Sequence, residues 1–208
     1  MYARTTYAVG DPAQIEHSLE GLSTEAPKLL ADSPGFRSFG LFTDRDQGKI
    51  AMASWWETER DRAANDASLG RRRTELLTPF ADSILVSNAE IAAFTASAEL
   101  SSAKAFRLGR FMIEPGRIDD LVGQFKEAGL PRMQGLPGFC GAAMLVDREN
   151  GIGSVGTLFT DWGALAASRT MQSVARRNAV QRTGLAVMCL EEFEVVLMEN
   201  TPDTPQSR

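Results

Sequence analysis

The chain has 208 residues, 43% of them hydrophobic and 24% charged, with a formal net charge of −5. These proportions are those of a globular protein and exclude an intrinsically disordered chain. The acidic balance argues against general nucleic-acid binding. No apolar run of about 18 residues and no basic-then-apolar leader points to a membrane or to secretion, so the cytoplasm is the expected compartment.

Tyr2 to Val9 reads as a strand, and Gly10-Asp11-Pro12 then starts a helix, with Asp11 as cap and Pro12 at its first position. Ile15, Leu19, Leu22, Ala26 and Leu30 mark its buried face, Pro27 disturbs it near its end, and Ser33-Pro34-Gly35 stops it. Phe36 to Thr43 is a second strand, turned at Asp44 to Gly48 into a third, Lys49 to Glu57. Thr58, with Asp61 three residues on, opens a second helix that Gly70 is expected to interrupt, and Ser83 to Phe94 closes the unit.

The segment Pro34-Gly35-Phe36, Asp44-Arg45 and Gly48 then recurs as Pro137-Gly138-Phe139, Asp147-Arg148 and Gly151, 103 residues on. A repeat near half the chain length means one small domain written twice. Residues 1–94 form the first copy, 95–103 a small polar linker, 104–199 the second copy and 200–208 a loose tail. Near the second helix the register slips by one residue, since Arg72 matches Arg176. The only cysteines, Cys140 and Cys189, fall on strands of the second copy and are expected to be reduced and packed.

The order strand, helix, strand, strand, helix, strand is the ferredoxin-like βαββαβ arrangement, with both helices on one sheet face. The bare face must be covered, and two fused units can cover each other. The expected fold is therefore α+β, two tandem ferredoxin-like units packed sheet to sheet as an intrachain α+β barrel. Arg4 and Glu90 recur as Arg107 and Glu194, which predicts a cross-strand ion pair in each unit.

The Pro-Gly-Phe strand start, the short hairpin and the strand ending Trp56-Glu57-Thr58 before a helix resemble the antibiotic biosynthesis monooxygenase (ABM) family, one domain per half. The resemblance implies a dimeric α+β barrel, here made within one chain as a pseudo-dimer, and a pocket between sheet and helices. It implies a cofactor-independent monooxygenase of small aromatic or polyketide-like compounds, its pocket mainly in the first unit. The alternative is a non-catalytic tandem domain that binds a small apolar ligand or a protein partner.

Candidate ligand residues are Trp56, Tyr7, Met52, Arg72 and Arg73, with second-unit counterparts Phe159, Arg110, Arg176 and Arg177. Strand alternation puts Trp56 and Trp55 on opposite faces without saying which meets the helices. The bland readings are a core tryptophan and a solvated arginine face. The polar amide and tyrosine that oxygenase members use are replaced by Met52 and Arg62, so the catalytic residues are unassigned. His17, the only histidine, points away from the apolar face of its helix, and haem-degrading relatives hold iron through a second-helix histidine that is absent here. Haem degradation is disfavoured, no metal site is expected, and Asp119-Asp120 and Glu191-Glu192 read as solvent-facing or strand-edge charges.

Overall fold

A computed structural model describes residues 1–98 and 100–200, apart from the side chains of 67 and 68; all of the expected tail but Asn200 lies outside the described residues. The elements follow the βαββαβ order twice. The first copy comprises β1 (Tyr2–Gly10), α1 (Ile15–Ala31), β2 (Phe36–Asp44), β3 (Lys49–Trp56), α2 (Glu59–Leu77) and β4 (Ala81–Ala96). In the second, β5 (Ala105–Met112) leads to a helical stretch made of α3 (Ile118–Gln124), a π-helical turn (Phe125–Gly129) and α4 (Leu130–Gln134). β6 (Phe139–Asp147), β7 (Ile152–Phe159), α5 (Trp162–Ala167), α6 (Arg169–Thr183) and β8 (Ala186–Asn200) complete it.

The hydrogen-bonded strand order β1-β3-β2-β8-β5-β7-β6-β4 closes on itself, the order of an eight-stranded α+β barrel. The chain divides into two compact units, and the boundary cuts β4 and β8 rather than the linker. The first unit takes Met1–Ala89 and the described residues from Glu194 on; the second takes Glu90–Phe193. Each copy's closing strand is therefore long enough to finish in the other unit. Thr43 pairs with Glu194 in the first unit, and Val146, its repeat counterpart, pairs with Glu90 in the second.

That exchange corrects the predicted ion pairs. Glu90 meets Arg148, and Glu194 meets Arg45, because each glutamate lands beside the hairpin of the unit its strand enters. Arg45 also holds Glu16, and Arg148 holds Asp119 at 2.7 Å, so the recurrent Asp-Arg dipeptide ties a hairpin to a helix and to the incoming strand in both units. Arg4 and Arg107 turn instead toward the helices.

Local signals behave as the residue chemistry requires. Asp11 accepts from the Ala13 N–H at 2.9 Å, and Thr58 accepts from the Asp61 N–H at 3.1 Å. α2 runs through Gly70 without a break, since a glycine there costs only about 1 kcal/mol and removes no backbone donor. Pro27 likewise lies inside α1 without ending it. In the first unit Ile15, Leu19 and Leu22 of α1 pack on Ile50, Met52 and Trp56 of β3; in the second, Leu121, Phe125 and Met133 pack on Phe111 and Met144. Cys140 is buried, Cys189 half-buried, and the two form no disulfide. His17 is exposed.

A candidate ligand cavity in the second unit

Trp56 is fully buried and belongs to the face of β3 that meets α1. Its ring stands edge-on to Phe36 with centroids 5.7 Å apart, and its indole N–H donates to the Ser54 hydroxyl at 3.0 Å. It fills core space and lines neither of the two cavities described below. Tyr7 pairs with Ala51, one step out of phase with the Thr6–Met52 pair, and therefore lies on the opposite face of the sheet from Met52. The proposed grouping of Trp56, Tyr7 and Met52 around one pocket does not form.

Met52, Arg72 and Arg73 do share a cavity between sheet and helices in the first unit, but it measures only about 70 Å³. Arg72 grips Glu25 with two nitrogens, at 2.8 and 2.9 Å, and Glu75 with a third at 3.0 Å. These hydrogen bonds raise the Arg72 pKa and, from Arg72, lower that of Glu25. Arg73 is paired with Asp66 at 3.3 Å. Each cation in that space has a carboxylate within ion-pair distance, although Arg4 and Arg73 share Asp66.

The larger cavity, about 330 Å³, lies in the second unit, not the first. Arg110 and Arg176 line it, whereas Phe159 is buried against Ala105 and Leu165, and Arg177 is exposed and outside the lining. Its walls are mainly apolar, with Phe111, Leu121, Phe125, Met133, Met144 and Leu185 from β5, the helical stretch before β6, β6 and the connection from α6 to β8. The π-helical turn supplies Phe125, Ala128 and Gly129 to this wall, and such turns are frequent at functional sites.

The first copy shows how the space arises. Where Thr6 and Met52 line the small cavity, Gly109 and Val155 line the large one, at the 103-residue repeat register. Where Glu25 and Glu75 clasp Arg72, the second copy has Ala128 and Ala179, and both face the cavity. Volume and free positive charge appear together.

Arg107 is 3% exposed, and all its nitrogens are engaged. Its Nε and Nη2 donate to Glu192, Nη2 also to the Leu165 carbonyl, and Nη1 to the Ser168 hydroxyl and to Gln172 Oε1. Burial pushes the Glu192 carboxyl up, but hydrogen bonds from Arg169 and Arg107 outweigh it and hold the group below its usual range. Arg110 pairs with Glu191 at 3.4 Å. Glu191 and Glu192 are thus partners of cavity arginines rather than solvent-facing charges. Arg4, the first-unit counterpart of Arg107, donates to the Arg62 carbonyl at 2.9 Å and sits 3.4 Å from Asp66; its pKa is lowered to about 10, first by burial.

Gln172 and Arg176 of α6 have nitrogens left unmatched in the large cavity. Gln172 is 5% exposed, and because a guanidinium only donates, the bond from Arg107 fixes Oε1 as the acceptor and leaves Nε2 as a donor. That Nε2 has no partner among the described residues, a burial that costs about 1–3 kcal/mol. Arg176 follows one turn later and makes no ion pair or hydrogen bond among the described residues; burial, then the charge of Arg107, lowers its pKa. Among the described residues no Asp, Glu, His, Cys, Lys or Tyr lines the cavity. Gln172 is absent from the sequence-based candidates, and Arg107 enters them as an ion-pair residue with a pocket role only secondary, although the exchange of two glutamates for alanines between the copies is a signal that could have found this space.

Among the described residues no group of three His, Cys, Asp or Glu side chains is placed to hold a metal, and no helix is long and apolar enough to cross a membrane.

No protein-family model matches the chain. Two uncharacterized proteins of Mycobacterium tuberculosis are each 24% identical to it, over 197 and 198 residues, which is 95% of this chain and 88% and 84% of theirs. Among solved structures it is similar to a candidate monooxygenase from Fusobacterium nucleatum, with TM-score 0.73, 9% identity, and 100% of this chain and 96% of that one covered. It is also similar to an anthrone oxidase-like protein, with TM-score 0.70, 15% identity and coverage of 98% and 94%. A third is an uncharacterized ferredoxin-fold protein related to antibiotic biosynthesis monooxygenases from Listeria monocytogenes, with TM-score 0.55, 10% identity and 94% of each chain covered. The chain has the ferredoxin-like α+β fold shared by these monooxygenase-related structures.

Proposed function

We propose that the chain binds a small, largely apolar compound, of the size of two or three fused aromatic rings, in the cavity of its second unit. The observation that carries this reading is the 330 Å³ space walled by Phe, Leu, Met and Val side chains, against about 70 Å³ at the equivalent place in the first unit. Small-molecule pockets run from about 300 Å³ upward and combine apolar walls with a few convergent polar groups. The first unit then serves as scaffold.

A second reading, cofactor-independent oxygenation of the bound compound, is favoured by the donors Gln172 Nε2, Thr157 and Arg176, which can face a phenolate or enolate. The cavity offers no side-chain base, so a substrate of this kind must already be ionised when it binds. The monooxygenase-related names among the structural neighbours support this reading through the fold alone.

Calorimetric titration of the protein with neutral and hydroxylated two- and three-ring aromatics, anthrone and dihydroxynaphthalenes among them, tests binding, and oxygen uptake in the same mixtures tests turnover. The expected result is one saturable site per chain for at least one compound. The absence of binding across the panel contradicts the proposal; binding without oxygen uptake retains it and removes the second reading.

A further inference from the structure

We propose that Gln172 and Arg176, one turn apart on α6, form an anion subsite that holds the carboxylate of an otherwise apolar ligand in the second unit's cavity. The inference rests on the binding reading above and narrows its ligand to aromatic or alicyclic carboxylates.

Three observations converge on these two side chains. The first is the buried amide. Gln172 has its oxygen committed to Arg107 Nη1 at 2.5 Å, so its Nε2 can only donate, and it has no acceptor. The second is the cation beside it. Gln172 and Arg176 are four residues apart and so share one helix face, and both side chains line the cavity. Nothing among the described residues neutralises Arg176, although its charge is opposed by burial and by Arg107.

The third observation is what the first copy does at the same place. There Arg72 is saturated by Glu25 and Glu75, two carboxylates supplied by the protein itself. In the second copy both positions are alanine, Ala128 and Ala179, and both line the cavity. The carboxylate that Arg72 receives from its own chain is missing for Arg176, and the space the glutamates would occupy is open. Arg132 and Arg182, also on the lining and without ion-pair partners among the described residues, add positive potential that favours an incoming anion. An amide N–H together with a guanidinium suits the two oxygens of a carboxylate.

Calorimetry on the full chain with 2-naphthoate and its neutral isostere 2-naphthamide tests the subsite. Wild type is expected to bind 2-naphthoate about tenfold more tightly than 2-naphthamide, the size of one charge-assisted contact. Arg176→Met keeps the aliphatic stem and removes the charge; Ala128→Glu restores the carboxylate of the first copy. Each is expected to bring the two affinities to within about twofold of one another, whatever it does to the binding of both. Two variants of opposite design guard against misfolding of either, which their melting temperatures report. Equal binding of the two compounds by wild type, or a preference that survives both substitutions, overturns the subsite and leaves the apolar cavity standing. Failure of both compounds to bind overturns the subsite, and the binding reading falls with it only where the wider aromatic panel also fails to bind.

Discussion

Trp56 and Arg107 show how neighbours decide what a residue does. Alternation along β3 separates Trp55 from Trp56 but cannot say which face is covered by helices; the answer comes from α1, whose Ile15, Leu19 and Leu22 pack on the Trp56 side. Trp56 is therefore a packing residue. Trp56→Phe, which reproduces Phe159 of the second copy, removes the indole bond to Ser54 and leaves a small void, at an expected cost of about 1–2 kcal/mol in urea unfolding with ligand affinity unchanged. A fall in affinity without loss of stability would return Trp56 to the ligand site. For Arg107, Glu192 supplies the counter-charge. Its depressed carboxyl contributes stability in full above the ordinary value of 4.5, and that stability is lost as pH falls through the lower folded value. Glu192→Gln is expected to lower stability at pH 7 by about 1–2 kcal/mol, a figure reduced for partial exposure. The deficit should shrink as pH drops below 4.5 in chemical unfolding curves; a deficit independent of pH contradicts the charge pairing.

At the level of elements, the repeat made the hairpins legible because turn chemistry is local. Gly48 and Gly151 adopt φ of 62° and 65°, and a Cβ on either would run into the carbonyl oxygen of Gly10 or Ile113. The same backbone meets the strand before it, since Ile113 N–H donates to the Gly151 carbonyl at 2.8 Å. Gly151→Ala is expected to cost about 2 kcal/mol or more in thermal or urea unfolding, because the left-handed conformation and the clash act together. A change within about 0.5 kcal/mol would mean that the hairpin relaxes freely. The one-residue slip is legible only as a number in the sequence; its place becomes clear from hydrogen bonds. Arg4 reaches the Arg62 carbonyl and Arg107 the Leu165 carbonyl, still 103 residues apart, whereas Arg72 and Arg176 differ by one more. The extra residue therefore lies between Leu165 and Arg176, where α5 gives way to α6 at Ser168. Ser168 accepts from Arg107 at that break and Gln172 follows one turn later, so the slip and the polar end of the cavity coincide. No periodicity in the chain announces that, because the arginine that organises it comes from a strand far away in sequence.

Across the whole molecule, duplication preserved the scaffold and released the site. The α+β class and the doubled βαββαβ order were readable because apolar periodicity and turn residues repeat. The finishing of β4 and β8 in the opposite unit was not, since each closing strand carries the same pattern on both sides of the boundary. The cavity also escaped the sequence, because it depends on what is missing: Gly109 for Thr6, Val155 for Met52, and alanines for two glutamates. Motifs mark residues that are present, and an absence signifies only once the copies are superposed. The most direct test of the account is calorimetric titration of Gly109→Thr/Val155→Met, which gives the second unit the first unit's side chains at two cavity positions, with the best ligand of the aromatic panel. A Cβ at Gly109 meets only Leu190 Cδ1 at 3.5 Å and the Val155 carbonyl at 4.0 Å, so the chain should still fold. The account predicts an unchanged fold by circular dichroism and loss of at least about tenfold in affinity as the space is filled. Wild-type affinity in this double variant would contradict the claim that the second unit's cavity is the ligand site.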